Sequence, residues 1–361
     1  MDSKRDEGEE KEVIKMADIL DSVLSFLPES RIGRDLNGSV MWVGAVSFED
    51  RCTRSLQILR QEGIKLCRVC ALNYGTTAYP ADLDKEKRRN NASILRNLAR
   101  SALAAWKPLS VEEYSYYSVR EVLTRAFHQA DKDTTVVVDI TCLTKIHTIA
   151  LAALLPLVKN DVVIACTSPE NYRHPDEMKL AWKDIIIGPI GGDGSLHNEQ
   201  HSRGIILTGL ESARLIVSLS EIEPSGGTVV LPLNQRRRDF SAANIRKNQR
   251  ILSQLTRGAN SAWKVGRADI SDLKALKNLV CAEILEAQQY DAPIFLFPFG
   301  PKAFVFSSAL TLVEKYARGA WFVYPIPAFY DVGYTEGSAS TSWRRVIHEE
   351  NTVPLLSPSS G

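Results

Sequence analysis

The chain has 361 residues, 44% of them hydrophobic and 24% charged, which is typical of a folded protein long enough for two domains. Its 44 basic and 43 acidic side chains leave a formal charge of +1, so no overall field draws it to nucleic acid or to an anionic membrane. No apolar run reaches the roughly 18–20 residues that span a bilayer. The charged segment from Met1 to Lys15 does not resemble an export signal. We therefore expect a cytoplasmic protein, and its six cysteines are too sparse for a disulfide framework.

Residues 1–38 are predicted to be a charged tail followed by a docking helix, Val13 to Leu27, which Pro28 ends. This helix faces the core or a protein partner. From Ser39 strands alternate with helices, which predicts parallel βαβ units in residues 39–175. The predicted strands are 40–46, 66–72, 113–117, 135–140 and 162–166, and the predicted helices are 52–62, 82–106, 118–130 with Ser118 as N-cap, and a helical stretch that ends at 157.

The second half repeats this alternation after a connecting segment. Residues 176–225 are predicted to be a connecting hairpin or loop followed by a helix, 210–222, and residues 226–361 a second Rossmann-like half. Its predicted strands are 228–233, 263–266, 293–297 and 321–324, with helices 240–255, 270–289 and one that ends at 316. The predicted fold class is therefore α/β, with two Rossmann-like, mainly parallel doubly wound halves related by internal duplication.

A lysine follows a strand in both halves. Thr135 to Ile140 leads into a turn with Lys145, and Pro293 to Phe297 leads into a turn with Lys302. Each lysine is followed by a helix, a second strand and a Pro-x-x-Tyr sequence, with 27 positions from lysine to tyrosine in the first copy and 28 in the second. This order predicts one phosphate-binding unit that occurs twice.

Parallel sheets bind ligands beyond the carboxyl ends of their strands, where helix N-termini present N–H groups and partial positive charge. The turns there carry lysines and arginines, whose positive charge suits phosphate groups. They also carry hydroxyl groups and a glycine that lets a ligand approach the backbone closely. The tyrosines can stack on a base. The predicted ligand-binding residues are Ser47, Arg51, Asp139, Thr141, Thr144, Lys145, Tyr172, Arg236, Gly300, Lys302 and Tyr330. We interpret Arg236 to Arg238 as the second half's counterpart of the Ser47 to Arg51 turn.

The alternative is an enzyme that acts at the same place, the edge of the sheet beyond the carboxyl ends of its strands, which we call the rim. Glu49, Asp50 and Asp139 are the candidates for a general acid, a general base or ligands to Mg²⁺, the one cofactor that this alternative would need. A sensing protein needs no cofactor, and no dedicated metal site is predicted. No P-loop or dinucleotide fingerprint follows any strand.

Two other motifs carry no predicted site. Cys67 and Cys70 have no second cysteine pair nearby, and the spacing of His197 and His201 does not match a zinc-peptidase motif, so the role of that loop stays open. The basic helix with Lys85, Lys87, Arg88, Arg89, Arg96 and Arg100 is interpreted as a solvated face, so nucleic acid is not the expected partner, although it is not excluded.

The turn from Asp139 to Lys145, Asp-Ile-Thr-Cys-Leu-Thr-Lys, resembles the D-x-T-x-x-T-K turn of CRISPR-associated Rossmann-fold (CARF) sensor domains and their relatives in bacterial defence. This resemblance implies a Rossmann-like sheet that binds cyclic oligonucleotides or other nucleotide signals, often as paired protomers, and acts on an effector. Cys142-Leu143 replaces the family's Gly-Gly. We expect a nucleotide- or phosphate-binding sensor or effector component, with a homodimer left open. A nucleotide-processing hydrolase, transferase or nuclease, and a structural subunit of a defence complex, are the alternatives.

Overall fold

The computed structural model describes residues 24–36, 38–74, 82–112, 115–172, 182–191, 201–235, 237–257, 262–328 and 335–347. The strands are β1 (Leu24–Leu27), β2 (Ser39–Ala45), β3 (Leu66–Tyr74), β4 (Ala105–Val111), β5 (Thr134–Asp139), β6 (Val162–Thr167), β7 (Asn171–Tyr172), β8 (Trp182–Pro189), β9 (Arg203–Leu207), β10 (Gly226–Leu233), β11 (Trp263–Asp269), β12 (Ile294–Pro298), β13 (Ala320–Pro327), β14 (Thr335–Glu336) and β15 (Thr341–Val346). The helices are α1 (Ile32–Asp35), α2 (Arg54–Gln61), α3 (Asp82–Ser101), α4 (Tyr116–His128), α5 (Lys145–Leu154), α6 (Ser212–Ile222), α7 (Arg238–Leu255), α8 (Leu273–Gln289) and α9 (Lys302–Tyr316).

Two mainly parallel sheets have the same strand order. The first runs β1-β15-β6-β5-β2-β3-β4 and the second β11-β10-β9-β12-β13-β8. When the five parallel strands of each sheet are numbered along the chain, the second sheet has the order 3-2-1-4-5, and the first sheet has the same order when it is read from β4. This is the doubly wound arrangement. An antiparallel strand, β15 in one sheet and β8 in the other, adjoins the fifth parallel strand. The predicted fold class, two Rossmann-like halves, is confirmed.

The alternating faces of the strands divide the core into layers. Val136 and Val138 of β5 face a central cluster that also contains side chains of α4, α5, α8 and α9, while Val137 faces an outer cluster with α2 and α3. On the second sheet, Ile206 faces an outer cluster with α6 and α7. Because both faces of each sheet are covered, its strands are continuous apolar runs. The central layer is thus shared by the two halves.

Helices α5 and α9 pack against each other in this central layer. From Ile146 to Leu154 every residue of α5 is buried, as is every residue of α9 from Phe304 to Leu312. A helix that is apolar on all sides must be covered on all sides. These two helices therefore hold the halves together.

The predicted N-terminal helix is wrong where it can be checked. Leu24–Leu27 is a strand that pairs with Trp343 to Val346 of β15, and the rest of the predicted helix, with the tail, lies outside the described residues. The apolar residues suited both patterns, and pairing with the edge of the first sheet decides between them because it satisfies the backbone polar groups.

The boundaries around α3 and α4 also differ from the prediction. Helix α3 ends at Ser101, and Leu103 has a positive φ of 55°, after which the chain enters β4. The N-cap of α4 is Ser115, whose hydroxyl accepts a hydrogen bond from the backbone N–H of Ser118, the residue predicted to be the cap. Tyr116 and Tyr117 are helical, whereas a strand was predicted there.

The second half begins earlier than predicted. Both β8 and β9 belong to the second sheet, although residues 176–225 were assigned to a connection. Strand β9 is its first parallel strand, so β10 is its second, and the Asn234 to Arg238 turn corresponds to the turn after β3. The Ser47 to Arg51 turn corresponds instead to the turn after Leu207. In addition, β15 from the predicted second half belongs to the first sheet. Strand β9 was missed because its pairing with β10 and β12, which are distant in sequence, decides its conformation.

Because both halves share the central layer, we expect a cavity there to destabilise the whole fold. Leu151→Ala on α5 removes a fully buried side chain (0% exposed) and should lower the free energy of unfolding by about 2–5 kcal/mol. Leu157→Ala, where the side chain is 66% exposed, is the matched control and should change it by less than about 1 kcal/mol. Chemical denaturation with probes in each half measures both. Two separate transitions, of which Leu151→Ala shifts only one, would contradict a shared core.

Candidate ligand-binding site

The two predicted lysines lie at one junction between the halves. Lys145 starts α5, and its Nζ donates to the carbonyl oxygen of Phe299 at 2.8 Å. Lys302 starts α9, and its Nζ donates to the carbonyl oxygen of Thr141 at 2.5 Å. Each acceptor lies in the turn that precedes the other lysine. Each lysine therefore reaches from its own half to a carbonyl oxygen of the opposite half, and we call this arrangement the reciprocal exchange.

This junction concentrates positive charge. The N-termini of two helices meet there, and each carries partial positive charge from its unpaired N–H groups. Burial, with smaller contributions from Arg214 and Lys302, lowers the pKa of the Lys145 ammonium to about 8, and Glu211 opposes the shift. Within the described residues, neither lysine forms an ion pair closer than 4 Å. The junction is cationic and only partly neutralised.

A carboxylate from each half faces the lysine of the other half. Glu49 lies four residues after the end of β2 and Glu211 four residues after the end of β9. Glu49 accepts from Arg51 Nε at 3.1 Å and attracts Lys302, while Glu211 pairs with Arg214 and attracts Lys145. The same charge arrangement is thus built twice.

Glu49 is also held from a third segment. The hydroxyl of Thr335, in β14, donates to Glu49 Oε2 at 2.5 Å. Burial would raise the pKa of the Glu49 carboxyl, but Arg51, Lys302 and Thr335 together hold it below its usual value. Arg51 in turn donates to the carbonyl oxygen of Thr167 at 2.9 Å. The ionised Glu49 therefore links the turn after β2 to β14 and, through Arg51, to the end of β6.

Two further polar contacts recur in both halves. Asn91 of α3 donates to the carbonyl of Ser47 at 2.9 Å, and Asn248 of α7 donates to the carbonyl of Gly209 at 2.8 Å; both acceptors lie two residues after the first parallel strand. In each half, moreover, a lysine on the third parallel strand hydrogen-bonds to the helix that follows. These pairs are Lys107 with Gln129 and Lys264 with Glu286.

The equivalent residues share one spacing in the sequence. Asn91 and Asn248 are 157 positions apart, as are Lys107 and Lys264, and Lys145 and Lys302. At this spacing, 11 of the 26 positions from 82 to 107 are identical to those from 239 to 264. The order of strands and helices alone does not reveal this shared spacing, whereas an alignment of the chain with itself does.

Asp139, predicted as a ligand contact or catalytic group, is 2% exposed. Its carboxylate accepts from the hydroxyl of Ser55 and from the backbone N–H of Thr141 at 2.8 Å. Burial raises the pKa of this carboxyl, and the hydrogen bonds from Ser55 and Thr141 oppose the rise. Asp139 therefore orients the turn after β5, and its lack of exposed surface argues against contact with a ligand.

The predicted hydroxyl contacts are also used within the protein. Ser47 Oγ accepts from the backbone N–H of Glu49 at 3.2 Å, Thr141 Oγ1 from that of Thr167 at 2.8 Å, and Thr144 Oγ1 caps α5 by accepting from that of His147 at 3.3 Å. All three residues are buried. These three side chains therefore shape the turns in which they lie.

The remaining predicted residues have mixed placements. Gly300 is buried, and a Cβ there would lie 3.1 Å from Leu207 Cβ, so it packs two turns of the second half together. Asp50 is exposed at the rim. Arg236, Tyr330 and the side chain of Tyr172 lie outside the described residues.

No group of three or more His, Cys, Asp or Glu side chains suited to a metal ion is found in the described part of the chain. Among the helices of the described ranges, none is both long and apolar enough to cross a membrane.

A cavity of about 220 Å³ lies between β4 and α4, and it is lined in part by Lys107, Leu109 and Val122. Neither Lys145 nor Lys302 lines it.

No protein-family model matches the chain, and no curated protein matches it. Among solved structures it is similar, at 10% identity and a TM-score of 0.49, to a Type III CRISPR defence DNA nuclease activated by cyclic oligoadenylate; the match covers 79% of this chain and 65% of that one. It is also similar, at 10% identity and a TM-score of 0.25, to the cytoplasmic domain of a prokaryotic cation chloride cotransporter, over 82% of this chain and 98% of that one. The chain thus spans less than two thirds of the nuclease, and scores this low support no functional argument.

Glu49→Gln tests whether the negative charge of Glu49 stabilises the fold. Because the folded-state pKa of Glu49 is lowered, its charge stabilises the fold above pH about 4.5, and this contribution is lost as the pH falls through the folded-state pKa. We expect the substitution to lower the free energy of unfolding at pH 7 by about 1–3 kcal/mol. The difference from the native chain should shrink below pH about 4.5.

Denaturant titrations at pH 7 and pH 4 measure both effects. Glu121→Gln, which removes an exposed partner of Arg125, is the control and should change stability by less than about 1 kcal/mol. An equal loss at both pH values for Glu49→Gln would show that its charge does not matter.

Proposed function

We propose that the chain binds a nucleotide or another phosphorylated ligand at the junction of its two halves, as a sensor or effector component of a bacterial defence system. The reciprocal exchange of Lys145 and Lys302 carries this proposal. It brings two ammonium groups and two helix N-termini together, and this combination favours a bound anion.

Each lysine has donors to spare. An ammonium group donates three hydrogen bonds, and a carbonyl oxygen accepts one from each lysine. The remaining donors are available to phosphate oxygens, and Arg51, which lies between Glu49 and Thr167, adds a guanidinium at the same rim. An anion would also offset the repulsion that helps to lower the pKa of Lys145.

The matching halves suggest a ligand with more than one phosphate. Because the charge arrangement occurs once per half, two phosphates can each meet a lysine and a helix N-terminus. The repeated contacts and the shared spacing of 157 positions support an origin by internal duplication. The assignment to bacterial defence rests on the resemblance of the Asp139 to Lys145 turn to CARF sensors.

Binding without turnover is favoured over the enzyme alternative by the state of the candidate catalytic groups. Asp139 is buried and hydrogen-bonded, and Glu49 is held by Arg51 and Thr335. A general base needs an accessible carboxylate within reach of the group that it deprotonates. Asp50 remains as an exposed carboxylate at the rim.

Substitution of the exchanged lysines tests the binding site. Saturating nucleotide should raise the melting temperature of the native chain, because a ligand present at 100 times its Kd stabilises the fold by about 2.7 kcal/mol. Lys145→Met and Lys302→Met should each weaken binding at least tenfold. The exposed Lys132→Met is the charge-matched control and should bind normally. The probes are mono-, di- and cyclic nucleotides with and without Mg²⁺, and affinity is measured by calorimetry on folded variants.

Product analysis of the same samples separates the two functions. An intact ligand after prolonged incubation supports sensing, whereas Mg²⁺-dependent turnover supports the enzyme alternative. Normal affinity in both lysine variants would place the ligand elsewhere.

The lowered pKa of Lys145 also predicts how binding depends on pH. Above pH about 8 the free protein loses the proton of Lys145, so affinity for a phosphorylated ligand should fall by up to about tenfold between pH 7.5 and pH 9. In the absence of ligand the sign is opposite: the unfolded state binds the proton more tightly, so stability should rise with pH between about 8 and 10.5. Lys145→Met should abolish both trends, and calorimetry and denaturation across this range measure them. Affinity that is constant to pH 9 would remove Lys145 from the site.

A further inference from the structure

Helix α3 carries a straight row of exposed arginines. Arg89, Arg96 and Arg100 are all exposed, and at 100° per residue they lie on one face of the helix within an arc of about 60°. From Arg89 to Arg100 the row is about 16 Å long at a rise of about 1.5 Å per residue. Arg96 also lies over the ring of Trp106, 5.7 Å from its centre. We call these three residues the first arginine row.

The equivalent helix of the second half carries a second arginine row. Arg246 and Arg250 are exposed on one face of α7 by the same periodicity, and the exposed Arg257 follows two residues after the end of the helix. Two positions coincide at the spacing of 157, because Arg89 matches Arg246 and Arg100 matches Arg257. Most of the other exposed positions of these helices differ between the copies. Retention of an exposed arginine in both copies is not explained by packing.

Acidic residues on the two helices are confined to their beginnings, Asp82, Asp84 and Glu86 on α3 and Asp239 on α7. From Lys87 to Val111 there are six basic residues and no acidic one, and from Phe240 to Ala268 there are again six and none. The whole chain is nearly neutral, so its positive charge is concentrated here. Among the described residues, no ion pair closer than 4 Å involves either arginine row. The helix thus presents guanidinium groups to solvent.

We propose that the two arginine rows are equivalent binding surfaces for the phosphate backbone of a nucleic-acid duplex. A duplex carries one charge per about 1.7 Å of its axis, so a straight cationic row about 16 Å long meets several phosphates in any register. Guanidinium groups bind phosphates in a bidentate manner. The described part of α3 has no exposed aromatic ring of the kind that stacks on the bases of single strands, so binding is to duplex and independent of sequence. This surface revises the sequence-based interpretation of the basic helix as only solvated.

The rows lie on opposite outer faces of the molecule, because α3 covers the outer side of the first sheet and α7 that of the second. One chain therefore binds two short duplexes. Three phosphate contacts per row predict that log K falls with log salt with a slope of about −2.7 for each site.

Fluorescence anisotropy with a labelled duplex of about 14 base pairs, at 50, 100 and 200 mM salt, tests this proposal. The native chain should bind two duplexes. Arg89→Gln/Arg96→Gln/Arg100→Gln and Arg246→Gln/Arg250→Gln/Arg257→Gln should each bind one, and the two sets combined should lose at least tenfold in affinity. Lys132→Gln/Lys159→Gln/Arg318→Gln removes three other exposed charges and should bind like the native chain.

Three results would overturn the proposal: normal binding by the combined variant, an equal loss in the control, or tighter binding of polyglutamate of equal charge, which would identify an acidic protein surface as the partner. Because all the substituted arginines are exposed, melting temperatures should stay close to that of the native chain, and they are measured to verify folding.

Discussion

The partial burial of two lysine side chains between the halves is the constraint on which the rest of the junction depends. A buried charge is costly unless polar groups surround it. Lys145 and Lys302 meet this requirement by donating to carbonyls of the opposite half and by facing Glu211 and Glu49. Neither half alone supplies both the lysine and its acceptor. The polar junction is thus complete only when α5 and α9 pack together, which links the apolar central layer to the geometry of the site.

The two sides of the junction are similar but not identical in the packing of their turns. In the second half, a Cβ on Gly209 would lie 2.0 Å from the carbonyl oxygen of Phe299, so the turns after β9 and β12 are pressed together. The first half has Ser47 at the equivalent position. In the first half, Thr335 of β14 also donates a hydrogen bond to Glu49. The turn after the first parallel strand is therefore packed differently in the two halves.

The sequence predicted those features that arise from local patterns. Runs such as Val136 to Val138, and the lysines that follow strands, identified the parallel units and placed Lys145 and Lys302 at corresponding corners. It could not predict which carbonyl each lysine would reach, because Thr141 and Phe299 belong to opposite halves. The five-residue strand β9 was missed for the same reason that Leu24–Leu27 was taken as a helix: pairing with distant strands decided both.

The predicted hydroxyl and carboxylate groups are engaged within the protein for a different physical reason. The carboxyl end of a parallel strand is close to solvent, but its turn also contains N–H groups that need acceptors. Asp139, Thr141 and Thr144 satisfy those groups and are buried as a result. A lysine has no acceptor capacity and a long side chain, so it cannot serve the turn in this way and reaches across the junction instead. Among polar residues in such turns, the cations are therefore the better guides to a site for an anion.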